Sequence, residues 1–284
     1  MDVPFSSAAR GAAGAVRGTV SRPESQDWLK KFARLGHLAK GVVYLLIGVL
    51  ALMAAFGSGG RVGGGQEAAS YLAGLPGGPV LLALTGFGLL GYAAWRFIEA
   101  WKDPDREGSD TKGIVKRVGF AASGVVNAAI AVGALQLAFG RGTSSGGEQA
   151  WASQLLTVPF GQFLLGAIGI GVIVAGLSQL KEAKDERFKR VLKLHQMSRK
   201  ERTWVTRLAK IGLCARGVVF PLIGYGILRA AMANSAARAQ GFGGALREIA
   251  SKPFGQVLLI AVAAGLVAYG IYMLAVAKYR RLAT

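Results

Sequence analysis

The chain has 284 residues, 52% of them apolar, with 42 glycines and a net charge of +19 from 34 Lys and Arg against 15 Asp and Glu. Such a composition fits a large soluble domain or a helical bundle in lipid, and the distribution of the apolar residues decides between them. The one cysteine, Cys214, excludes an intramolecular disulfide and reads as an ordinary buried thiol, and two scattered histidines, His37 and His195, give no zinc-ligand spacing.

Residues 1–27 are rich in Ala, Gly, Ser and Arg. They lack the apolar core of a secretory signal and read as a disordered cytoplasmic arm. Nearly uncharged apolar runs follow at 41–60, 79–95, 118–140, 155–180, 217–228 and 253–277. Most approach the ~20 residues that cross a ~30 Å hydrocarbon layer, and the fifth reaches that length if Arg216 and Arg229 snorkel. Six transmembrane helices are expected. The basic residues fall on alternate loops: Lys181 to Lys210 alone carries eleven Lys or Arg, whereas the intervening loops hold Arg61, then Arg141, then Arg238, Arg247 and Lys252. This asymmetry predicts a multi-pass protein with both termini cytoplasmic.

Laying the chain over itself reveals a threefold repeat. "GHLAKGVVY" from Gly36, "GFAASGVVN" from Gly119 and "GLCARGVVF" from Gly212 each open an odd-numbered helix; Pro76, Pro159 and Pro253 each precede an even one, with Gly88, Gly171 or Gly265 twelve residues later. Each unit crosses out and back, so the copies are parallel, and a pseudo-three-fold bundle about the membrane normal is the simplest closed arrangement. The expected units are repeat 1 over 28–110 (helices 37–56 and 79–101), repeat 2 over 111–184 (118–139 and 160–180), a basic interfacial linker over 185–206, and repeat 3 over 207–284 (211–233 and 254–277).

The "AKGVVY", "ASGVVN" and "ARGVVF" copies resemble the domain of unknown function 1206 family of bacterial membrane proteins. The resemblance implies the six-helix, three-copy layout, and it brings no activity, substrate or catalytic residue; the chain itself is read as a protein of a bacterial inner or plasma membrane. The middle copy departs most, with Ser123 for the basic residue and Asn127 for the aromatic one.

At 3.6 residues per turn Gly41, Tyr44 and Gly48 share a face, as do Gly124, Asn127 and Ala131, and Gly217, Phe220 and Gly224. Small residues above and below a larger one form a notch for a neighbouring helix, or the three larger residues line a pocket. The even helices carry a matching stripe that ends in Glu99 and Glu182 at the depth where Lys40 and Arg216 begin the odd ones, which predicts ion pairs there. "DERFKRVLKLHQMSRKERTW" from Asp185 reads as a basic interfacial helix, with Phe188, Val191, Leu192 and Met197 on one side and Arg187, Lys189, Arg190 and Lys193 facing anionic headgroups. Nucleic acid is set aside for want of a recognised fold or stacking surface.

"GTSSG" over 142–146 matches an esterase elbow formally, but it lacks the strand and helix context, and both histidines are predicted on the opposite side of the membrane. The mixed segments before the three prolines suggest short helices on the outer surface. No catalytic residue, metal or cofactor is expected. The chain reads as a non-enzymatic membrane module for lipid or protein partners, with a small-solute or ion transporter or channel through the pseudo-three-fold centre as the alternative.

Overall fold

The computed structural model describes residues 23–58, 60, 62–102, 110–141 and 147–280. The first part of the expected arm, residues 1–22, and the "GTSSG" string lie outside them. Among the described residues the protein is an all-α membrane protein with six helices long and apolar enough to span a bilayer. These are α1 (Pro23–Ala55), α3 (Gly78–Lys102), α4 (Thr111–Ala138), α6 (Gly161–Asp185), α7 (Arg199–Met232) and α9 (Gly255–Tyr279). Short helices α2 (Gly65–Ala73), α5 (Gly147–Leu156) and α8 (Phe242–Ala250) precede the three even spans, one per repeat, as the segments before the prolines suggested.

Several helices outrun their hydropathy. α1 begins at Pro23, inside the expected arm, and α7 begins at Arg199, inside the expected linker. The reason is local: apolar content marks where a helix crosses lipid, while capping groups mark where it starts. At α7 the Glu201 N–H donates to Ser198 Oγ at 3.2 Å and the Ser198 N–H donates back to Glu201 Oε2 at 2.9 Å. At α4 the Gly113 N–H donates to Asp110 Oδ1 at 3.0 Å.

The even helices all start after a Pro-x-Gly turn. Gly77, Phe160 and Phe254 take positive φ at 74°, 61° and 59°. The next residue must be glycine, since a Cβ on Gly78, Gly161 or Gly255 would lie 1.8, 1.7 or 2.1 Å from a carbonyl of the short helix.

The six spans pack neighbour to neighbour in the order α4, α3, α1, α9, α7, α6, with the last span α9 against the first, α1. Contacts between repeats use the predicted glycine faces: a Cβ on Gly41 would meet Leu274 at 2.8 Å, on Gly124 the Phe97 ring at 3.1 Å, and on Gly217 Leu180 at 2.3 Å. Gly48 and Gly224 likewise sit against the Ala263 and Gly169 carbonyls, at 2.8 and 2.5 Å. Among the described residues, contacts between the two spans of one repeat form twice. Gly36 and Gly88 meet Tyr92 and Ala39 between α1 and α3, and Gly212 and Gly265 meet Tyr269 and Ala215 between α7 and α9. Their middle-repeat equivalents Gly119 and Gly171 have nothing within 4 Å, and α4 and α6 do not pack along their lengths. The series of helices is therefore open between α4 and α6, a seam, and these two bury 22% of their apolar windows against 50% for α3, α7 and α9.

The continuous interfacial helix expected over Asp185–Trp204 is not formed. Glu186 takes a left-handed φ of 53° and ends α6, and two 3-10 turns, Arg187–Val191 and Leu194–Gln196, lead to α7. Phe188, Leu192 and Met197 are buried against Ala209, Leu213, Tyr272, Met273, Val276 and Tyr279, so they face protein. The Lys193 N–H donates to the Tyr279 carbonyl at 2.8 Å and ties the linker to the end of α9. Burying Phe188 and Leu192 stabilises this cap by roughly 1.5–3 kcal/mol each. Cys214, expected to be buried, is exposed on the surface of α7.

Candidate functional site

The cap is pinned electrostatically at its turn. Hydrogen bonds from Lys189 and then Lys210 hold the Glu186 carboxyl well below its ordinary value of 4.5, at about 2. A carboxyl depressed by folding contributes stability that is complete above its unfolded value and is lost as pH falls through the folded one. Between pH 4.5 and 2 the unfolding midpoint of the native chain should therefore fall more steeply than that of Glu186→Gln; parallel curves would assign no role to this contact.

Inside the bundle, at the linker end, lies a cluster of cations and aromatic rings. Arg216 is buried on α7, its guanidinium 4.2 Å from the Tyr269 ring centroid, 4.5 Å from Phe220 and 5.1 Å from Tyr44. Tyr44 and Phe220 also meet Phe242 of α8 edge to face, at 5.9 and 6.4 Å, and so fill the bundle centre between repeats 1 and 3. Asn127, their equivalent, turns back on its own helix and donates to the Ser123 carbonyl at 2.7 Å. The three notch residues thus do not share one pocket: two pack on a common ring and the third satisfies α4.

The ion pairs differ from the expectation. Lys40 makes none with Glu99; its Nζ donates to the Tyr92 hydroxyl at 3.2 Å, beside Arg96 Nε, which donates to the same oxygen at 2.8 Å. Glu99, 1% exposed, accepts from Trp95 Nε1 at 2.6 Å, Arg96 Nη1 at 2.8 Å and Arg280 Nη2 at 2.6 Å. Arg280 Nη1 also lies 2.7 Å from His37 Nε2. Glu182 is half-buried and forms no ion pair with Arg216, although it lies within electrostatic reach of it. Arg96 and Trp95 were legible as neighbours of Glu99 from the three- and four-residue helical spacing. Arg280, 181 residues away, carried no such signal.

Of the expected headgroup contacts, Arg187 and Arg190 are exposed, Lys189 pairs with Glu186, and Lys193 is half-buried at the α9 end; Arg187 also lies 3.2 Å from Asp185. At the opposite end the short helices surround a cavity of about 730 Å³ lined by Gln66, Glu67, Gln149, Gln240, Arg247 and Glu248, among others. Gln66, Gln149 and Gly243 in its wall each stand ten residues before their proline, so this cavity sits where the three repeats converge. No group of three or more His, Cys, Asp or Glu side chains arranged for a metal occurs among the described residues.

The relation to known proteins follows the same threefold division. The family profile Domain of Unknown Function (DUF1206) matches residues 35–103, 118–184 and 211–280, the three hairpins of the structure. The chain is 35% identical over 261 residues to the "Uncharacterized protein YxxB" of Bacillus subtilis (strain 168), an alignment that covers 92% of this chain and 94% of that protein. No solved structure matches the chain. With all three of its hairpins matched, the chain belongs to the DUF1206 family of proteins of unknown function.

Proposed function

We propose that the protein is a non-enzymatic module of a bacterial inner or plasma membrane, with both termini cytoplasmic, that associates with anionic lipid headgroups and through them or directly with membrane-protein partners. The observation that carries this reading is the folded cap, in which Phe188, Leu192 and Met197 point into the core while Lys181, Lys184, Arg187, Arg190, Arg199 and Lys200 are exposed around it. A rim of cations at the membrane edge attracts anionic lipid by about 1 kcal/mol for each residue near the surface. Contact at this rim is then electrostatic, without insertion of the buried Phe188, Leu192 and Met197.

In discs of phosphatidylcholine with phosphatidylglycerol, native mass spectrometry should show anionic lipid enriched on the native chain. The enrichment should fall when Lys181, Lys184, Arg187, Arg190, Arg199 and Lys200 are all changed to Gln. Equal retention by the two proteins would remove the rim as the contact. For the orientation, a Cys214→Ala background with new cysteines should label at Gln149 from outside and at Lys193 only after the cytoplasmic face is opened; the reverse pattern would invert the topology.

The polar cavity at the convergence of the short helices favours a second reading, a transporter for a small solute or ion. Against it stands the aromatic packing of Tyr44, Phe220 and Phe242 beneath the cavity. Solute-dependent uptake into proteoliposomes holding the purified chain would favour transport over the module.

A further inference from the structure

The charge around Arg216 does not balance. Lys40, Arg96, Arg216 and Arg280 converge at the linker end of the bundle, and the carboxylates that face them among the described residues are Glu99 and Glu182. Glu99 is already committed to Arg96 and Arg280. Tyr269, against which Arg216 lies, is ten residues from the C-terminal end of α9, about 15 Å along the helix. At that depth an unmatched cation is costly, and aromatic faces offset only part of the cost.

Two polar groups point to what is missing. Arg216 is 8% exposed and its Nε–H has no hydrogen-bond acceptor. The Tyr92 hydroxyl oxygen accepts from both Lys40 and Arg96, and among the described residues its own proton has no acceptor. Both call for an acceptor, and the surplus of cations calls for a negative one.

The middle repeat leaves a place for it. In the positions where repeats 1 and 3 set Lys40 and Arg216, Tyr92 and Tyr269, and Trp95 and Tyr272, repeat 2 has Ser123, Ala175 and Ser178. The two helices that carry these small residues, α4 and α6, are also the pair that stand apart. Gln179 on α6, at the position equivalent to Arg96, is buried with its Oε1 unpartnered, a further sign that this corner is not closed by protein.

We propose that Arg216, Lys40 and Arg96, with the Tyr92 hydroxyl, form a binding site inside the bundle for an anionic group of the phosphate or carboxylate class, reached through the seam between α4 and α6. The anion accepts from Arg216 Nε–H and Tyr92 O–H and neutralises the excess positive charge. A lipid headgroup, with its acyl chains along the seam, and a free anion from the aqueous side share this chemistry. The site is distinct from the surface rim of cations and does not depend on it.

The test uses the full chain in phosphatidylcholine discs, probed with inorganic phosphate, and in discs that also contain phosphatidylglycerol, with unfolding midpoint and native mass spectrometry as readouts. A midpoint that rises with the logarithm of phosphate concentration assigns a free anion. One phosphatidylglycerol retained per chain, with no response to phosphate, assigns a lipid headgroup. In either case Arg216→Gln should weaken binding at least about tenfold, the loss of a hydrogen bond to a charged group. Ser123→Glu is the second variant, because it keeps Arg216 and adds a carboxylate at the third corner: it should raise the midpoint without added anion and abolish the response. Changing the rim residues Lys181, Lys184, Arg187, Arg190, Arg199 and Lys200 to Gln should leave this binding intact. The proposal is overturned if the native chain responds to neither probe, if Ser123→Glu binds as the native chain does, or if only the rim variant loses binding.

Discussion

Glu99→Ala should destabilise the bundle by about 3–5 kcal/mol, because removing one member of a buried charge network leaves its partners charged and unpaired. Glu99 is 1% exposed, and its two oxygens receive Trp95, Arg96 and Arg280. The Arg280 contact joins the end of repeat 3 to repeat 1, so its loss also frees the chain that holds the linker through Lys193 and Tyr279. Glu99→Gln keeps the shape and some acceptor capacity but not the charge, and should fall between the native chain and Glu99→Ala. Denaturant unfolding in lipid discs measures these differences, and a double cycle with Arg280→Met tests the coupling. If Glu99→Ala costs clearly less in the Arg280→Met background than in the native one, the two residues act together; an equal cost in both backgrounds, strict additivity, would mean that the 2.6 Å contact contributes nothing to folding.

Gly212→Leu and Gly119→Leu should differ sharply although the two glycines occupy the same repeat position. A Cβ on Gly212 would lie 2.5 Å from the Tyr269 Cα, where backbone has to move, and one on Gly119 would meet nothing within 4 Å. Overpacking typically costs about 1–3 kcal/mol, and a clash with backbone belongs at or above the upper end. Leucine also has a helix propensity roughly 0.8 kcal/mol better than glycine, so Gly119→Leu should be neutral or slightly stabilising. Gly36→Leu should follow Gly212→Leu, its Cβ being 2.5 Å from the Tyr92 Cβ and 2.8 Å from its Cα. Equal losses at Gly119 and Gly212 would show that α4 and α6 close on each other in the membrane and that the seam does not exist.

Hydropathy and self-similarity determined six helices of spanning length, three hairpins and the short helix before each even span, because each depends on groups near one another in the chain. The glycine faces were legible for the same reason: at 3.6 residues per turn a stripe of small residues shows in the sequence itself. Which stripes meet a helix and which meet lipid was not, since hydrocarbon and a neighbouring helix are equally apolar and select the same residues. Gly119 and Gly212 read alike and only the packing separates them. The linker failed to read correctly through the same ambiguity, its amphipathic spacing fitting a membrane surface or the base of the bundle equally well until Phe188 and Leu192 were placed in the core. The pairing of Glu99 with Arg280 in place of Lys40 was decided by the return of α9 to α1, a closure that brings together the ends of the first and last repeats and leaves the middle one open.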